Sequence, residues 1–344
     1  MKTQRIRNLS FIEHSGRKIP KVPAQLHLSD WIGTAKVRCG IGRMNYAVDP
    51  GLYAVGDPDG DSPVFVSANY KLSFDALRKE LGGLDGWILV LDTKGVNVWC
   101  SAGKGTFGTD EIVNRVGIVG LETIVNHRRL ILPQLGAVGV AAHKVKSGCG
   151  FSVVYGPIRA CDIVAFMQAG MKATDQMRQV RFSFYDRLVL LPVEFVAGAK
   201  YVLFAMALFF IMSGISARGY SSGLALHDGV RSMFNLFAAY AGGAGIGPLF
   251  LPWLPGRSFS FKGLMAGLLV GSVLALLGLV GSGAEKVAWL FLVAAIASFV
   301  TMNFTGASTY TSLSGVKKEM RVAVPLQIAA AALGLGLWII GRFV

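Results

Sequence analysis

Five apolar stretches in the second half of the chain limit its possible folds more than any other feature. They run over about 188–215, 232–254, 263–281, 287–306 and 322–341. Each has about the 20 residues that a helix needs to cross hydrocarbon. Polar or glycine-rich connections separate them, including Arg218–Arg231 and Lys317-Lys318-Glu319-Met320-Arg321. Nearly all the apolar weight lies after Arg187. The chain therefore reads as a soluble domain over 1–186 and an all-α bundle of five transmembrane helices over 187–344. With 53% hydrophobic and 16% charged residues, the whole is too apolar for an ordinary soluble protein.

A net charge of +14 fits positive-inside bias and attraction to anionic membrane lipid. No nucleic-acid motif accompanies it, so nucleic acid is not an expected partner. Arg178, Arg181 and Arg187 precede the first span, Arg257 and Lys262 follow the second, and Lys317, Lys318 and Arg321 follow the fourth. With these regions on one side, the chain is a multi-pass protein of the cytoplasmic membrane, its first half cytoplasmic and its C-terminus outside. The other side carries Arg218, Arg231, Lys286 and Arg342, a modest bias. Gly263, Gly267, Gly271 and Ala275 form a small-residue stripe that suits helix packing within the bundle. Glu194 and Lys200 lie near enough to an interface to snorkel. The spans carry too little charge for a transport pathway, so this half reads as an anchor and docking platform.

The first half alternates short apolar runs with helical periodicity. Pro63–Asn69, Trp87–Leu91, Arg128–Leu132 and Phe151–Tyr155 read as strands. Ser73–Leu81, capped by Ser73, reads as a helix, as do the segments beginning at Thr109-Asp110-Glu111 and at Asp162. That rhythm predicts a parallel, Rossmann-like α/β sheet. Met1–Pro23 reads as an extended basic arm without the apolar core of a secretory signal. Pro50–Tyr53 and Pro133–His143 read as loops.

Between the Trp87–Leu91 strand and the helix at Thr109 lies Asn97-Val98-Trp99-Cys100-Ser101-Ala102-Gly103-Lys104-Gly105-Thr106. Val96–Trp99 reads as a short extended piece, which leaves Cys100 in a loop beyond a strand end, where open α/β sheets bind ligands. A helix start and Lys104 nearby are surroundings that favour thiolate. The small residues let a flat, bulky partner approach the backbone. The competing reading is a cysteine that is simply a small buried hydrophobe beside a Trp. A phosphate loop fails, because Val98 stands where the Walker pattern needs glycine. Cys39, Cys149 and Cys161 form no C-x-x-C pair with Cys100 or each other, so no zinc or iron–sulfur ligand set is expected in this chain. They read as buried structural thiols, and His127 and His143 as ordinary polar residues.

This stretch resembles the cobalt-ligand motif of the corrinoid protein of the bacterial mercury-methylation pair (HgcA family). It is also similar to the corrinoid-binding domain of the corrinoid iron–sulfur proteins of acetyl-CoA synthesis. The resemblance extends over Ser67–Asp75, Leu132–Ala137, Val154–Ala160 and Ala169–Thr174, and covers roughly Arg43–Pro192. The family usually has Ala where this chain has Ser101, whose hydroxyl is expected to tune the thiolate by a hydrogen bond.

The resemblance implies a corrinoid (cobalamin-type) cofactor, with Cys100 as catalytic residue and lower axial cobalt ligand. The cofactor-binding residues it implies are Asn97, Val98, Trp99, Cys100, Ser101, Ala102, Gly103, Lys104, Gly105 and Thr106, with Asn69, Gly156 and Pro157. It implies a membrane-anchored methyltransferase that passes a cobalt-bound methyl group to Hg(II), giving methylmercury. A thiolate opposite the methyl group is a soft, electron-rich donor, suited to delivery to an electrophile. The implied partners are a ferredoxin-like protein with two four-iron clusters as electron donor, and a methyl-donor protein or methyltetrahydrofolate. The alternative is a corrinoid methyl carrier of one-carbon metabolism.

Overall fold

The computed structural model describes residues 6, 9–307 and 313–343. The chain divides into two compact units, 1–37 with 41–180, and 38–40 with 181–344.

In the first unit, Ser10–His14 (β1) and Arg17–Lys21 (β2) pair antiparallel across a turn in which Ser15 and Gly16 both take positive φ. That is the hairpin geometry that matches strand twist. The arm expected over Met1–Pro23 is thus partly sheet. Helix Leu28–Arg38 (α1) follows. Gly51–Val55, expected as a loop, is a buried strand (β3). Then come Val64–Ala68 (β4), Lys71–Arg78 (α2), Gly86–Leu91 (β5), Val98–Gly103 (α3), Thr109–Val119 (α4), Arg129–Leu132 (β6), Ala142–Cys149 (α5), Ser152–Tyr155 (β7) and Ile163–Gln168 (α6). Tyr70, not Ser73, stands at the N-cap of α2.

The strand order is β1-β2-β3-β5-β4-β6-β7. Strands β5, β4, β6 and β7 are mutually parallel, whereas β3 runs antiparallel to β5. The sheet is therefore mixed, not parallel throughout. The short 56–63 connection turns the chain from β3 straight back into β4, two places away, without the dozen-residue crossover that a parallel return needs; β5 then inserts between them, parallel to β4 and antiparallel to β3. Side chains alternate between two cores. Val66, Leu89, Leu91 and Leu132 pack with Ile112 and Val116 of α4 and Val145 of α5. Phe65, Ile88, Val90 and Ile131 pack with Phe74 and Leu77 of α2 and Phe166 of α6. With helices on both faces, every side chain of Trp87–Leu91 is fully buried, which explains its unbroken apolar run.

A ring of four charges lies inside this unit. Lys71 Nζ is 2.6 Å from Asp30 and 2.5 Å from Asp75, and Arg78 is 2.8 Å from each of the same two carboxylates. Burial by itself would raise the Asp30 carboxyl. The hydrogen bond and charge of Lys71, the His27 amide and the Arg78 charge outweigh it and hold the group below its usual range. Burial likewise works against the Lys71 ammonium, but Asp75 and Asp30 overcome it and push the group up.

The second unit is helical. Phe184–Leu188 (α7) starts with a capping box between Ser183 and Asp186. Leu191–Met212 (α8) leads to a small hairpin, Ile215–Ser216 (β8) with Gly219–Tyr220 (β9). Ser222–Leu224 (α9), Val230–Ala241 (α10) and Gly247–Leu249 (α11) follow, then Phe259–Leu276 (α12), Gly283–Asn303 (α13) and Leu313–Ile340 (α14). Among the described residues, four helical segments are long and apolar enough to cross a membrane: Phe184–Met212, Phe259–Leu276, Ala284–Gly306 and Ser314–Ile340.

The second apolar stretch, 232–254, does not form one long α-helix. Ala225–Gly229 and Gly242–Ile246 are π-helical turns on either side of α10. The cause of the second is visible in the packing. A Cβ on Gly243 would lie 2.8 Å from the Ala297 backbone, and one on Gly247 would strike Thr301. Thr301 Oγ1 donates to the Gly243 carbonyl at 2.8 Å. Glycines chosen for close approach to α13 have lost α-helical regularity, and a neighbouring side chain enters the ladder.

The small stripe on α12 packs as expected. A Cβ on Gly263 would lie 2.6 Å from Ala297 O, and one on Gly267 2.9 Å from Ala294 Cα. Arg231 and Arg342, placed on one side by the charge pattern, meet at Glu285, 3.1 and 3.0 Å away.

Candidate functional site

The parallel strands put their C-terminal ends on one sheet edge, since Ala68 aligns with Leu91 and Leu132 with Tyr155. A cavity of about 310 Å³ opens there. It is lined by Asn97, Val98 and Trp99, by Leu132, Pro133 and Leu135, and by Gly156, Pro157 and Ile158, with Ser73, Ala76 and Leu77 of α2 on a further side. That volume lies at the low end for small-molecule pockets, so a large flat ligand would cover the mouth and insert only a part.

Cys100 stands beside this cavity, but not in a loop. Val96–Trp99 is not extended; Val98–Gly103 is the short helix α3, with Asn97 as its N-cap. The Asn97 carboxamide oxygen accepts from the Cys100 amide at 2.9 Å. Asparagine is among the strongest N-caps, and that signal outweighs the strand preference of Val98 and Trp99. Cys100 is exposed and forms no disulfide, and Trp99 beside it is 47% exposed. The reading of Cys100 as a buried hydrophobe therefore fails.

The Ser101 hydroxyl does not reach the thiol. It is fully buried and donates to the carbonyls of Asn97 at 2.6 Å and Val98 at 3.0 Å. Consecutive helical positions point about 100° apart, so Cys100 faces out and Ser101 faces in.

The connection from β5 to α3 is tightly pinned. Asn69 does not line the cavity; its carboxamide oxygen accepts from Thr93 N (3.2 Å), Thr93 Oγ1 (2.8 Å) and Gly95 N (2.9 Å). Lys94 and Gly95 both take positive φ. The Lys94 ammonium lies 2.5 Å from Asp92. Burial would raise the Asp92 carboxyl, but the hydrogen bonds and charge of Lys94 more than compensate and hold it low.

Beneath α3 the Gln134–Gly139 segment, expected as a loop, is a 3-10 turn packed close. A Cβ on Gly136 would lie 2.5 Å from the Phe107 ring, and one on Gly139 would strike the Phe107 carbonyl. The rest of the motif runs away from the cavity. Ala102 is buried, Thr106 Oγ1 donates to the Ser101 carbonyl at 3.4 Å, and Lys104 is the C-cap of α3. Gly103 is exposed and has open space where a Cβ would stand. Gly105, at φ 80°, lines a neighbouring 410 Å³ cavity with Thr109 and Lys144. Thr109 does not cap α4, which Gly108 precedes; its hydroxyl accepts from the Ala141 amide at 2.9 Å.

Among the described residues, no group of three or more His, Cys, Asp or Glu side chains could hold a metal ion. His127 has both ring nitrogens engaged, with Ser62 O and Arg129 N. The Cys149 thiol donates to Val145 O at 3.2 Å, while Cys161 is exposed, contrary to its reading as a buried thiol.

Residues 41–167 match the family described as the CO dehydrogenase/acetyl-CoA synthase delta subunit. The chain is 34% identical over 128 residues to the acetyl-CoA decarbonylase/synthase complex subunit gamma of Archaeoglobus fulgidus, 37% of this chain and 27% of that one. The Methanopyrus kandleri subunit gamma is 32% identical over 123 residues, 35% of this chain and 26% of its own. The corrinoid/iron-sulfur protein large subunit of Moorella thermoacetica is 31% identical over 126 residues, 36% of this chain and 28% of its own. The chain thus spans little more than a quarter of each relative's length. The matched family segment contains the cavity, α3 and Cys100, and these likenesses support a relation to corrinoid proteins.

Proposed function

We propose that the first unit binds a corrinoid over the cavity beside Cys100, and that the chain is a membrane-held methyl carrier of one-carbon chemistry. The observation that carries this is a free, exposed thiol on a capped turn at the rim of an apolar cavity, within the segment shared with corrinoid and acetyl-CoA synthase proteins. The residues fit such a group. Val98, Trp99, Leu132 and Pro157 give an apolar floor, Cys100 is a soft donor suited to cobalt, and among the described residues nothing lies within 4 Å of where a Gly103 Cβ would stand. When bound, a corrinoid supplies a metal centre able to carry a methyl group. In this reading Asn97 fixes the Cys100 backbone, Trp99 shields the cavity from water, and Cys100 would hold the metal centre through its sulfur.

The parallel β5-β4-β6-β7 core with helices on both faces supports a Rossmann-like reading of this unit. We place 222–249 as a fifth membrane crossing, because its helical path is continuous through the π turns. The charge pattern then supports a cytoplasmic first unit and an external C-terminus. A ferredoxin-like protein with two four-iron clusters would supply electrons and a methyltetrahydrofolate-type donor the methyl group.

A second reading, transfer of the methyl group to Hg(II), is favoured by the pairing of this site with an apolar helical unit. One experiment separates them. Membranes carrying the chain are loaded anaerobically with cobalamin, reduced, methylated, and offered Hg(II) or a thiol methyl acceptor. The Cys100→Ala chain is expected to lose the thiolate-dependent corrin spectrum and at least tenfold in transfer. Methylmercury as the sole product would replace the carrier reading by the second. A chain that retains no corrin would overturn both.

A further inference from the structure

The second unit contains a cavity of about 1010 Å³ between α12, α13 and α14, far larger than the one beside Cys100. Its walls along Leu264, Leu268, Leu290, Phe291 and Leu326 are apolar. On α14 the lining runs from Gly315 to Ala330, which at helical rise is about 22 Å, more than half the hydrocarbon thickness.

One end is different. Arg257 lies just before α12 and Lys318 in the second turn of α14; both line the mouth and both are exposed. The two helix starts are adjacent, because Glu319 accepts from the Ser260 amide at 2.6 Å. That bond occupies the nearby carboxylate, and among the described residues Arg257 and Lys318 each lack an acidic partner. Deeper in the cavity, about 13 Å past Lys318 along α14, Gln327 donates to Ser298 and Ser298 to the Ser260 carbonyl, both at 2.8 Å.

We propose that this cavity is a binding site for an anionic glycerophospholipid bearing headgroup hydroxyls, of the phosphatidylglycerol class. The phosphate lies between Arg257 and Lys318, the headgroup glycerol faces outward, and one acyl chain runs inward along the apolar wall. Basic pockets between membrane helices on the cytoplasmic side are the usual setting for anionic headgroups. The apolar length and the cationic mouth fit this amphiphile better than a zwitterionic one, whose choline would face two cations.

The test uses the full chain, delipidated in mild detergent and titrated with phosphatidylglycerol or phosphatidylcholine under native mass spectrometry, with thermal unfolding in parallel. The expected result is one tightly held phosphatidylglycerol per chain, at least tenfold preferred over phosphatidylcholine. Arg257→Gln with Lys318→Gln should abolish the preference, and both sites are exposed, so the fold should be kept. Leu264→Trp should fill the wall and weaken both lipids. Equal retention of the two lipids, an unchanged preference in the double variant, or copurification of an isoprenoid quinone in place of phospholipid would overturn the proposal. Release of the chain from membranes by alkaline carbonate would overturn the membrane reading and this site with it.

Discussion

Asn69→Ala should loosen the mount of Cys100 without touching the cavity. The Asn69 carboxamide oxygen takes three donors from the connection between β5 and α3. After truncation the Thr93 hydroxyl still donates to Val96 O at 2.7 Å, so it remains satisfied. The Thr93 amide also keeps a partner, donating to Leu91 O at 3.1 Å. The half-buried Gly95 amide does not, and a donor left without a partner costs about 1–3 kcal/mol. The local opening of 92–100 should therefore become easier by about 1–3 kcal/mol. At about 1.4 kcal/mol per tenfold, amide exchange there should accelerate roughly 5- to 100-fold, while β4 and β5 keep their protection. The assay is hydrogen exchange of the full chain read by mass spectrometry, peptide by peptide. Acceleration below about threefold at Gly95–Cys100 would refute the pinning argument, and equal acceleration across the sheet would show that Asn69 supports the fold and not the loop.

Arg78→Met should destabilise the first unit by about 3–5 kcal/mol, because it leaves Asp30 and Asp75 buried against Lys71 alone; urea unfolding followed at Trp87 would measure it. The same ring sets a pH window. Asp30 is depressed when folded, so its contribution is complete above its ordinary value of 3.8 and lost as pH falls below it. Lys71 is raised, so its contribution is complete below 10.5 and lost as pH climbs past that value. The unit should show a stability plateau between these limits, read by thermal unfolding across pH. Ser101→Ala should change stability by less than about 0.5 kcal/mol, since a back-bond to the i−4 carbonyl adds little. It should also leave the spectrum of any bound corrin unchanged, because the hydroxyl faces inward.

The sequence announced the parts of this molecule whose physics is local and periodic. Trp87–Leu91 could be read as a strand because burial on both faces leaves an unbroken apolar run, and the α12 stripe because small residues recur at helical spacing. The strand β3 was hidden, because Pro50 and Gly51 gave turn signals and its antiparallel partner β5 lies far along the chain. Helix α3 was misread although Asn97 carried its cap, since Val98 and Trp99 favour strand and six residues offer little periodicity. The charge ring was beyond reach: Lys71, Asp75 and Arg78 look like a solvated helix face until Asp30 arrives from α1 to bury them. The lining of the cavity was legible at Gly156 and Pro157, which follow a visible strand, and at Asn97, Val98 and Trp99 through the motif, but not at Ser73, Ala76 and Leu77 of α2. The break of the second apolar stretch follows from contacts of Gly243 and Gly247 with α13, which hydropathy does not register.

Helix α3 has less than two turns of its own, too short to persist in water without its surroundings. It is clamped at its entry by Asn97 and the loop that Asn69 grips, and from below by the glycine-cleared turn at 134–139. The sulfur is therefore carried like a stylus on a short arm, positioned by its bearings and not by the stiffness of the arm. Small shifts in those bearings move the Cys100 tip while the sheet beneath stays where it is. The height of the thiol above the cavity is thus adjustable separately from the stability of the domain, and substitutions at Gly136 or Gly139 are the ones that would reset it.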